Sequence, residues 1–342
     1  FYIMAATASV NYSGGGMDTW TGYHRGSGAW WLHCYASGYN EVRVKAVGVN
    51  PVDILIEKGS IRLIKNYKFP LTLGSELSGI IEQVGSKVTN YKIGDKIMSR
   101  LPINNIGSFA EYVAVKSDAI ALIPKHMNFI EAAAVPLTGL TSYQILNDIL
   151  KAKPGESLFL PGGTGGLGAM LIPIAKQMGL YVVTSGSENG RDRLISMGVD
   201  KYINYKEENY EDILFDLNYV VDTLGPRDIR KELKILKTHG KIVSLKGVPN
   251  YRFALENGYP FWKQLLFKLA GNKYDKMASK EDKEYHFFFV KESGKQLEII
   301  SKILENNNIR PIIDSVYDFS KIEEAIIKVS QGHAQGKVVA TF

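Results

Sequence analysis

The feature that most constrains this chain is a glycine cluster, Gly162-Gly-Thr-Gly-Gly-Leu-Gly168, set between a short apolar run and a helical pattern. The run is Ser157-Leu-Phe-Leu160, and the helical pattern spans Ala169 to Met178. Within the cluster, Gly163, Gly165 and Gly168 read G-x-G-x-x-G, with Thr164, Gly166 and Leu167 between them. Glycines at this spacing let a strand turn tightly into a helix and let a ligand approach the backbone closely. The helix start then offers free N–H groups and partial positive charge, which suit a diphosphate. A plain strand-to-helix turn also uses glycines, so context matters. Here the flanking strand and helix are those a dinucleotide-binding βαβ unit requires.

Around this turn the pattern alternates. Short apolar strands are expected at Tyr181–Ser185, Lys201–Asn204, Tyr219–Asp222 and Lys241–Leu245, with helices at 189–197 and 227–238 between them. Repeated β-α order predicts a doubly wound parallel sheet. His286-Phe-Phe-Phe-Val290 reads as a further buried strand, and Phe261 to Ala270 as an amphipathic helix in an insertion. Before Pro124 the character differs. Glu41-Val-Arg-Val-Lys-Ala-Val47 alternates apolar with polar, as a half-buried strand does. Gly79–Val84, a short strand after Gly94 and Ser108–Val115 continue a mainly antiparallel β pattern. A helix over 129–150, broken near Pro136 and Gly139, follows. The expected organisation is a β-rich domain, 1–124 with 293–342, interrupted by a nucleotide-binding domain, 125–292. Residues 1–40 hold Trp20, Trp30 and Trp31 with only two charges, Asp18 and Arg25, and show no clean period.

Composition narrows the class. A chain of 342 residues is long enough for two domains. Its 45% hydrophobic and 22% charged residues exclude a disordered chain, a collagen-like chain and a coiled coil. The one cysteine, Cys34, can form no intramolecular disulfide or four-cysteine zinc site, so a cytoplasmic, reducing compartment is expected. A net charge of +6 invites a nucleic-acid reading. The richest basic stretch, 261–300, nevertheless sets eight lysines among six acids, which describes a solvated face and no nucleic-acid partner. No run approaches the ~18 apolar residues of a membrane helix, so no membrane partner is expected. The opening Phe1-Tyr-Ile-Met-Ala-Ala has no basic region before it, so no secretory signal is expected. None of the six histidines stands at metal spacing, apart from the adjacency of His33 and Cys34.

Cofactor choice is read at the end of the second strand of the βαβ unit. An acid there holds the ribose hydroxyls of NAD and repels a 2′-phosphate. This chain has Gly186 at that position, flanked by Ser185 and Ser187, with Arg191 and Arg193 downstream. Hydroxyls and a guanidinium suit a phosphate, which favours NADPH; Glu188 is the dissenting residue.

With these motifs in order, the chain resembles the medium-chain dehydrogenase/reductase superfamily, in particular its zinc-free quinone oxidoreductase branch. The resemblance rests on Val49-Asn-Pro-Val-Asp53, Gly74-Ser-Glu-Leu-Ser-Gly79, Gly94-Asp95, Leu140-Thr141, the glycine turn and Gly336-Lys-Val-Val339. It implies a doubly wound Rossmann sheet inserted in a β-rich GroES-like catalytic domain, and a homodimer. It also implies that Asn50 lies by the nicotinamide and Thr141 contacts the nicotinamide ribose or amide. Tyr205 would reach the adenosine phosphate, while Ser244, Gly247, Phe288 and Val290 would line the nicotinamide side. The basic residue of many relatives falls on Gly190, where Arg191 substitutes. Asp53 is expected to be a local structural acid.

Zinc-dependent relatives would place their metal ligands at Asn50, Ser75 and Leu137, and a proton-relaying hydroxyl at Val52. An amide, a hydroxyl and an aliphatic chain make a poor zinc site, so no metal is expected. What the resemblance then implies is hydride transfer from NADPH to a small electrophilic acceptor, a quinone or an α,β-unsaturated carbonyl. Alternatives are reduction of an enoyl thioester or other alkene, or NADPH binding without catalysis.

Overall fold

The computed structural model describes residues 38–332 and 334–342. The tryptophan-rich start, with Cys34, His24 and His33, lies outside the described residues, as does His333. In chain order the strands are β1 (Tyr39–Val49), β2 (Glu76–Val84), β3 (Lys96–Arg100), β4 (Tyr112–Lys116), β5 (Ile120–Leu122) and β6 (Ser157–Leu160). There follow β7 (Tyr181–Gly186), β8 (Lys201–Asn204), β9 (Leu217–Asp222), β10 (Leu236–Ser244), β11 (Glu284–Phe287), β12 (Ile313–Asp318) and β13 (Lys337–Thr341). The chain divides into two compact units, one ending at Leu140 and resuming over Lys291–Phe342, the other Thr141–Val290.

The first unit is built on a seven-stranded sheet in the order β12-β13-β1-β2-β3-β5, with β4 also pairing β1. All pairs are antiparallel except β12 with β13. The last strand of the chain therefore lies inside the sheet, against the first, with Val49 opposite Val338. The alternation read over 41–47 is real: Val42, Val44 and Ala46 are fully buried. Ser108–Val115 pairs only from Tyr112. The backbone N–H groups of Ser108 and Phe109 donate instead to the carbonyls of Gly74 and Leu73, at 3.1 and 3.0 Å.

The stretch 125–140, assigned from sequence to the second domain, packs in the first unit. Ala133 and Ala134 are buried with Ala46 and Val339, and Ser78 Oγ donates to the Phe129 carbonyl at 2.6 Å. The helical stretch is broken near Pro136, as expected: Phe129–Ala133 ends before it and Pro136 opens a second helix, Pro136–Tyr143, which runs through Gly139 without a break.

The second unit holds a six-stranded parallel sheet in the order β11-β10-β9-β6-β7-β8. Phe159, Val183, Ile203, Val220 and Ile242 bring one fully buried side chain from each of β6 to β10 into a common core. Chain order reverses between β6 and β9, which is where such sheets open a crevice at their carboxyl ends. β11 begins at Glu284 and ends at Phe287, two residues earlier at its start than the sequence suggests. Between β10 and β11 runs the helix Phe261–Ser279, which buries Phe267, Gly271, Tyr274 and Ala278. Among the described residues no helix is long and apolar enough to cross a membrane.

Candidate functional site

The glycine turn leaves β6 at the point of strand reversal and enters the helix Gly168–Gln177. Its three motif glycines do different work. A side chain at Gly163 would collide with Thr184 Oγ1, and one at Gly168 with the Gly163 carbonyl oxygen. Those two close the turn onto its own scaffold. At Gly165 the nearest atom to an added Cβ is the Gly162 carbonyl oxygen at 3.8 Å, so this position faces open space. Thr223 Oγ1 donates to the Pro161 carbonyl at 2.7 Å and ties the end of β9 to the start of the turn.

The residues read from sequence as cofactor contacts follow the carboxyl ends of β6, β7, β8, β10 and β11, but several hydroxyls are already engaged. Ser185 is buried, and its Oγ accepts the Gly162 N–H at 3.3 Å while its carbonyl accepts that of Gly163 at 3.1 Å. Ser244 is fully buried and donates to Asp222 Oδ2; Asp222 Oδ1 in turn accepts the N–H groups of Leu224 and Gly225 at 2.7 and 2.8 Å. These two serines hold the strand ends in shape. Gly247 leaves room for Tyr285, whose hydroxyl accepts the Val248 N–H at 2.9 Å and lies where a Gly247 side chain would be. Phe288 is buried and Val290 half-buried.

Around the adenosine-side positions the geometry is more open. A Cβ at Gly186 would sit 2.9 Å from Tyr202 Oη, so an acid does not fit there without displacing that ring. Tyr202 donates to the Ser187 carbonyl at 2.6 Å, and burial pushes its phenol upward. Arg191 is exposed and stands 3.5 Å from Glu188, so the dissenting acid is paired with the proposed phosphate ligand. Tyr205 is exposed at the end of β8, its N–H on the Gly186 carbonyl at 3.3 Å. Arg193, read from sequence with Arg191 as a downstream cation suited to a phosphate, reaches the turn itself and donates to the Thr164 carbonyl at 3.0 Å.

In the first unit, Asn50, Asp53, Ser75, Glu76 and Lys337 form one buried polar network. Asn50 precedes the helix Pro51–Glu57, and its backbone N–H donates to Asp53 Oδ2 at 2.9 Å. Ser75 Oγ donates to Asp53 Oδ1 at 2.6 Å. Burial raises the Asp53 carboxyl to about 6, against the lowering by these two hydrogen bonds. Its partners are local, which agrees with a structural acid. Asn50 Nδ2 donates to Glu76 Oε1 at 2.8 Å and to the Gly48 carbonyl at 3.2 Å. Lys337 Nζ donates to Asn50 Oδ1 at 2.5 Å and forms an ion pair with Glu76 Oε1. Glu76 Oε2 accepts the Leu137 N–H at 2.7 Å.

Both amide hydrogens of Asn50 are thus used within the chain, leaving an acceptor lone pair on Oδ1. The positions that the resemblance assigns to zinc ligands do not fit the metal. Ser75 and Asn50 are committed to other partners, Leu137 offers no side-chain ligand, and a lysine ammonium occupies the network. Thr141 is buried in the helix Pro136–Tyr143.

Two family models match. Residues 37–125 fit the alcohol dehydrogenase GroES-like domain, and 197–339 fit the zinc-binding dehydrogenase model. The 2-methylene-furan-3-one reductase of Solanum lycopersicum is 30% identical over 313 residues, covering 87% of this chain and 70% of that one. The chain belongs to the medium-chain dehydrogenase/reductase superfamily. A second relative, the NADPH-dependent alkenal/one oxidoreductase, chloroplastic, of Arabidopsis thaliana, is 27% identical over 311 residues, covering 87% and 70%. The solved quinone oxidoreductase of Coxiella burnetii superposes with a TM-score of 0.76 at 26% identity, covering 90% of this chain and 92% of that one. As a superfamily member the protein is an oxidoreductase that uses a nicotinamide cofactor on a small-molecule substrate. Its fold is the expected one, a parallel Rossmann-like sheet accompanied by an antiparallel GroES-like unit.

Sequence reasoning missed Glu76 and Lys337 as working residues, and it did not foresee the contact of Arg193 with the turn. For the first two a signal was present: each is a charge opening an otherwise apolar strand, in Glu76-Leu-Ser-Gly-Ile-Ile and Lys337-Val-Val-Ala.

Proposed function

We propose that this protein is an NADPH-dependent reductase that delivers hydride to a conjugated electrophile, an α,β-unsaturated carbonyl or a quinone, without zinc. The observation that carries the cofactor half is Gly165, which leaves open space at the head of a parallel sheet where its strand order reverses. The turn's backbone N–H groups and the start of the helix at Gly168 would receive the diphosphate. Arg191 and Ser187 would receive the 2′-phosphate, and the crowding of Tyr202 against Gly186 supports NADPH over NADH. When bound, the reduced nicotinamide supplies the hydride. The chain's own part is to hold that ring and the acceptor together, since a conjugated acceptor needs little further activation. Asn50, fixed by Glu76 and Lys337, would present its Oδ1 lone pair to the nicotinamide, and Thr141 a hydroxyl. The donor set at Asn50, Ser75 and Leu137 supports a zinc-free reaction, and the names of the relatives favour an enone or quinone acceptor.

NADPH oxidation followed at its absorbance band tests this, against quinones, enones and enoyl thioesters with elemental zinc measured alongside. Turnover of quinones or enones with no stoichiometric zinc is expected. Turnover of enoyl thioesters alone would move the assignment to thioester reduction, and NADPH binding without any turnover would remove the enzyme reading. Arg191→Ala should raise KM for NADPH roughly tenfold and leave NADH kinetics unchanged, the effect of one lost charge-assisted contact. The single cysteine supports a reducing compartment such as the cytoplasm, and the resemblance supports a homodimer, which light scattering after gel filtration checks.

A further inference from the structure

The helix Phe261–Ser279 has two apolar faces and uses only one of them in the core. Phe267, Gly271, Tyr274 and Ala278 point into the second unit. On the opposite side Trp262, Leu265, Leu266 and Leu269 recur at i, i+3, i+4 and i+7, the spacing of one helix face, with Phe261 at its start. They are 58, 48, 44, 68 and, for Phe261, 79% exposed. Large apolar side chains scattered singly over a surface need no explanation, but five on one outward stripe form a patch. Leu255 and Tyr251 of the preceding helix, Tyr251–Glu256, are also exposed.

Charge indicates what would cover this patch. From Tyr251 to Ser279 there are five basic residues and two acids. Asp275 is turned inward and accepts Asn250 Nδ2 at 2.7 Å. Lys263, Lys268, Lys273 and Lys276 form no ion pair among the described residues. Instead Lys263 lies over the rings of Trp262 and Tyr259 at 5.6 and 5.1 Å, and Lys268 over Tyr251 at 5.7 Å, so their stems run along the apolar surface. Of the acids of 261–300, Glu284 pairs with Arg252 and Glu292 with Arg100, both outside the stretch, and Glu281 pairs with Lys283 beyond the helix's end. The outward face is therefore apolar and cationic. A second copy meeting it face to face would set lysines against lysines.

We propose that this face docks on an anionic lipid bilayer, the helix lying in the surface plane. Phe261, Trp262, Leu265 and Leu269 enter the headgroup boundary, and Lys268, Lys273 and Lys276 meet lipid phosphates and carboxylates. An aromatic residue beside lysines on an outward apolar stripe is the composition of an interfacial helix. The inward face keeps the helix attached to its own sheet, so it lies on the membrane and does not span it.

The full chain is mixed with vesicles of phosphatidylcholine alone, or with about one-third phosphatidylserine, and the bound fraction is read by flotation. Binding to the anionic vesicles is expected to exceed that to neutral ones by roughly tenfold and to fall with added salt. Trp262→Ser/Leu265→Ser/Leu269→Ser should lower anionic binding roughly tenfold, and so should Lys268→Glu/Lys273→Glu/Lys276→Glu. A charge-matched control, Lys58→Glu/Lys87→Glu/Lys92→Glu, should retain it. All three variants should unfold at the same temperature as the parent, because every changed side chain is at the surface. Equal binding to both vesicle types, or equal loss in the control, would overturn the proposal. So would a self-association, seen by light scattering, that the serine variant abolishes while vesicle binding is absent throughout; the face would then belong to a protein contact.

Discussion

Gly165 differs from its motif partners in what surrounds it, and that difference makes it the position to test. An aspartate there meets no protein atom closer than ordinary contact and needs no left-handed backbone, whereas at Gly163 or Gly168 any side chain breaks the turn. Gly165→Asp should weaken NADPH binding by about a hundredfold or more through repulsion of the diphosphate. Its unfolding free energy should stay within ~1 kcal/mol of the parent's. Calorimetric titration and thermal melts check the two halves, and undiminished affinity would remove the turn from the cofactor site. The Lys337–Glu76 pair is the other residue-scale test. Lys337→Met leaves a buried carboxylate without its cation and should cost about 3–5 kcal/mol in urea unfolding. Adding Glu76→Met should restore most of it, because a buried pair replaced whole by apolar groups is often neutral. Both residues stand in motifs visible in the sequence, yet their partnership is not. They are 261 residues apart and meet only because β13 pairs with β1.

The short helix Ile229–Lys234 carries an unusual burden against the β9–β10 layer. Glu232 is fully buried, neither carboxyl oxygen has a hydrogen-bond partner among the described residues, and burial raises its carboxyl to about 9. The folded state therefore holds this proton more tightly than the unfolded one, whose carboxyl titrates near 4.5. Stability on this account is full at low pH and is lost as pH rises from about 4.5 to about 9, on the order of 3 kcal/mol by pH 7. Glu232→Met should stabilise the protein at pH 8 by roughly 1–3 kcal/mol and flatten that slope, read from melts across pH. The helix itself is legible in the 227–238 pattern but comes out shorter, because β10 takes the chain from Leu236. Likewise the lysine-rich 261–300 stretch reads as mixed charge in one dimension. In three dimensions Asp275, Glu284 and Glu292 face partners outside the stretch, while Lys263, Lys268, Lys273 and Lys276 form no ion pair among the described residues. Sign patterns along a chain do not say which side chains share a side.

At the scale of the whole molecule, the interrupted architecture makes the last strand structurally central to the first unit. β13 lies between β12 and β1, carries buried Val338, Val339 and Ala340, and brings in Lys337. Ending the chain at Gly336 removes an interior strand and leaves Glu76 without its cation. Loss of the cooperative melt and of soluble expression is expected, by circular dichroism and gel filtration. The sequence by itself determined what depends on near neighbours: the period-2 alternation of β1, the glycine turn, the β-α repeat, and the ordered motifs that carry the family resemblance. Such features are local because strand and helix periods repeat within a few residues. Only the tertiary structure decided that Ser185 and Ser244 spend their hydroxyls on strand ends, that Arg193 reaches the turn, that residues 125–140 pack with the β-rich unit, and that Asn50 is gripped by Glu76 and Lys337. Each of those depends on strand register and on burial shared by distant segments, and periodicity specifies the face of a strand but not the residue opposite it.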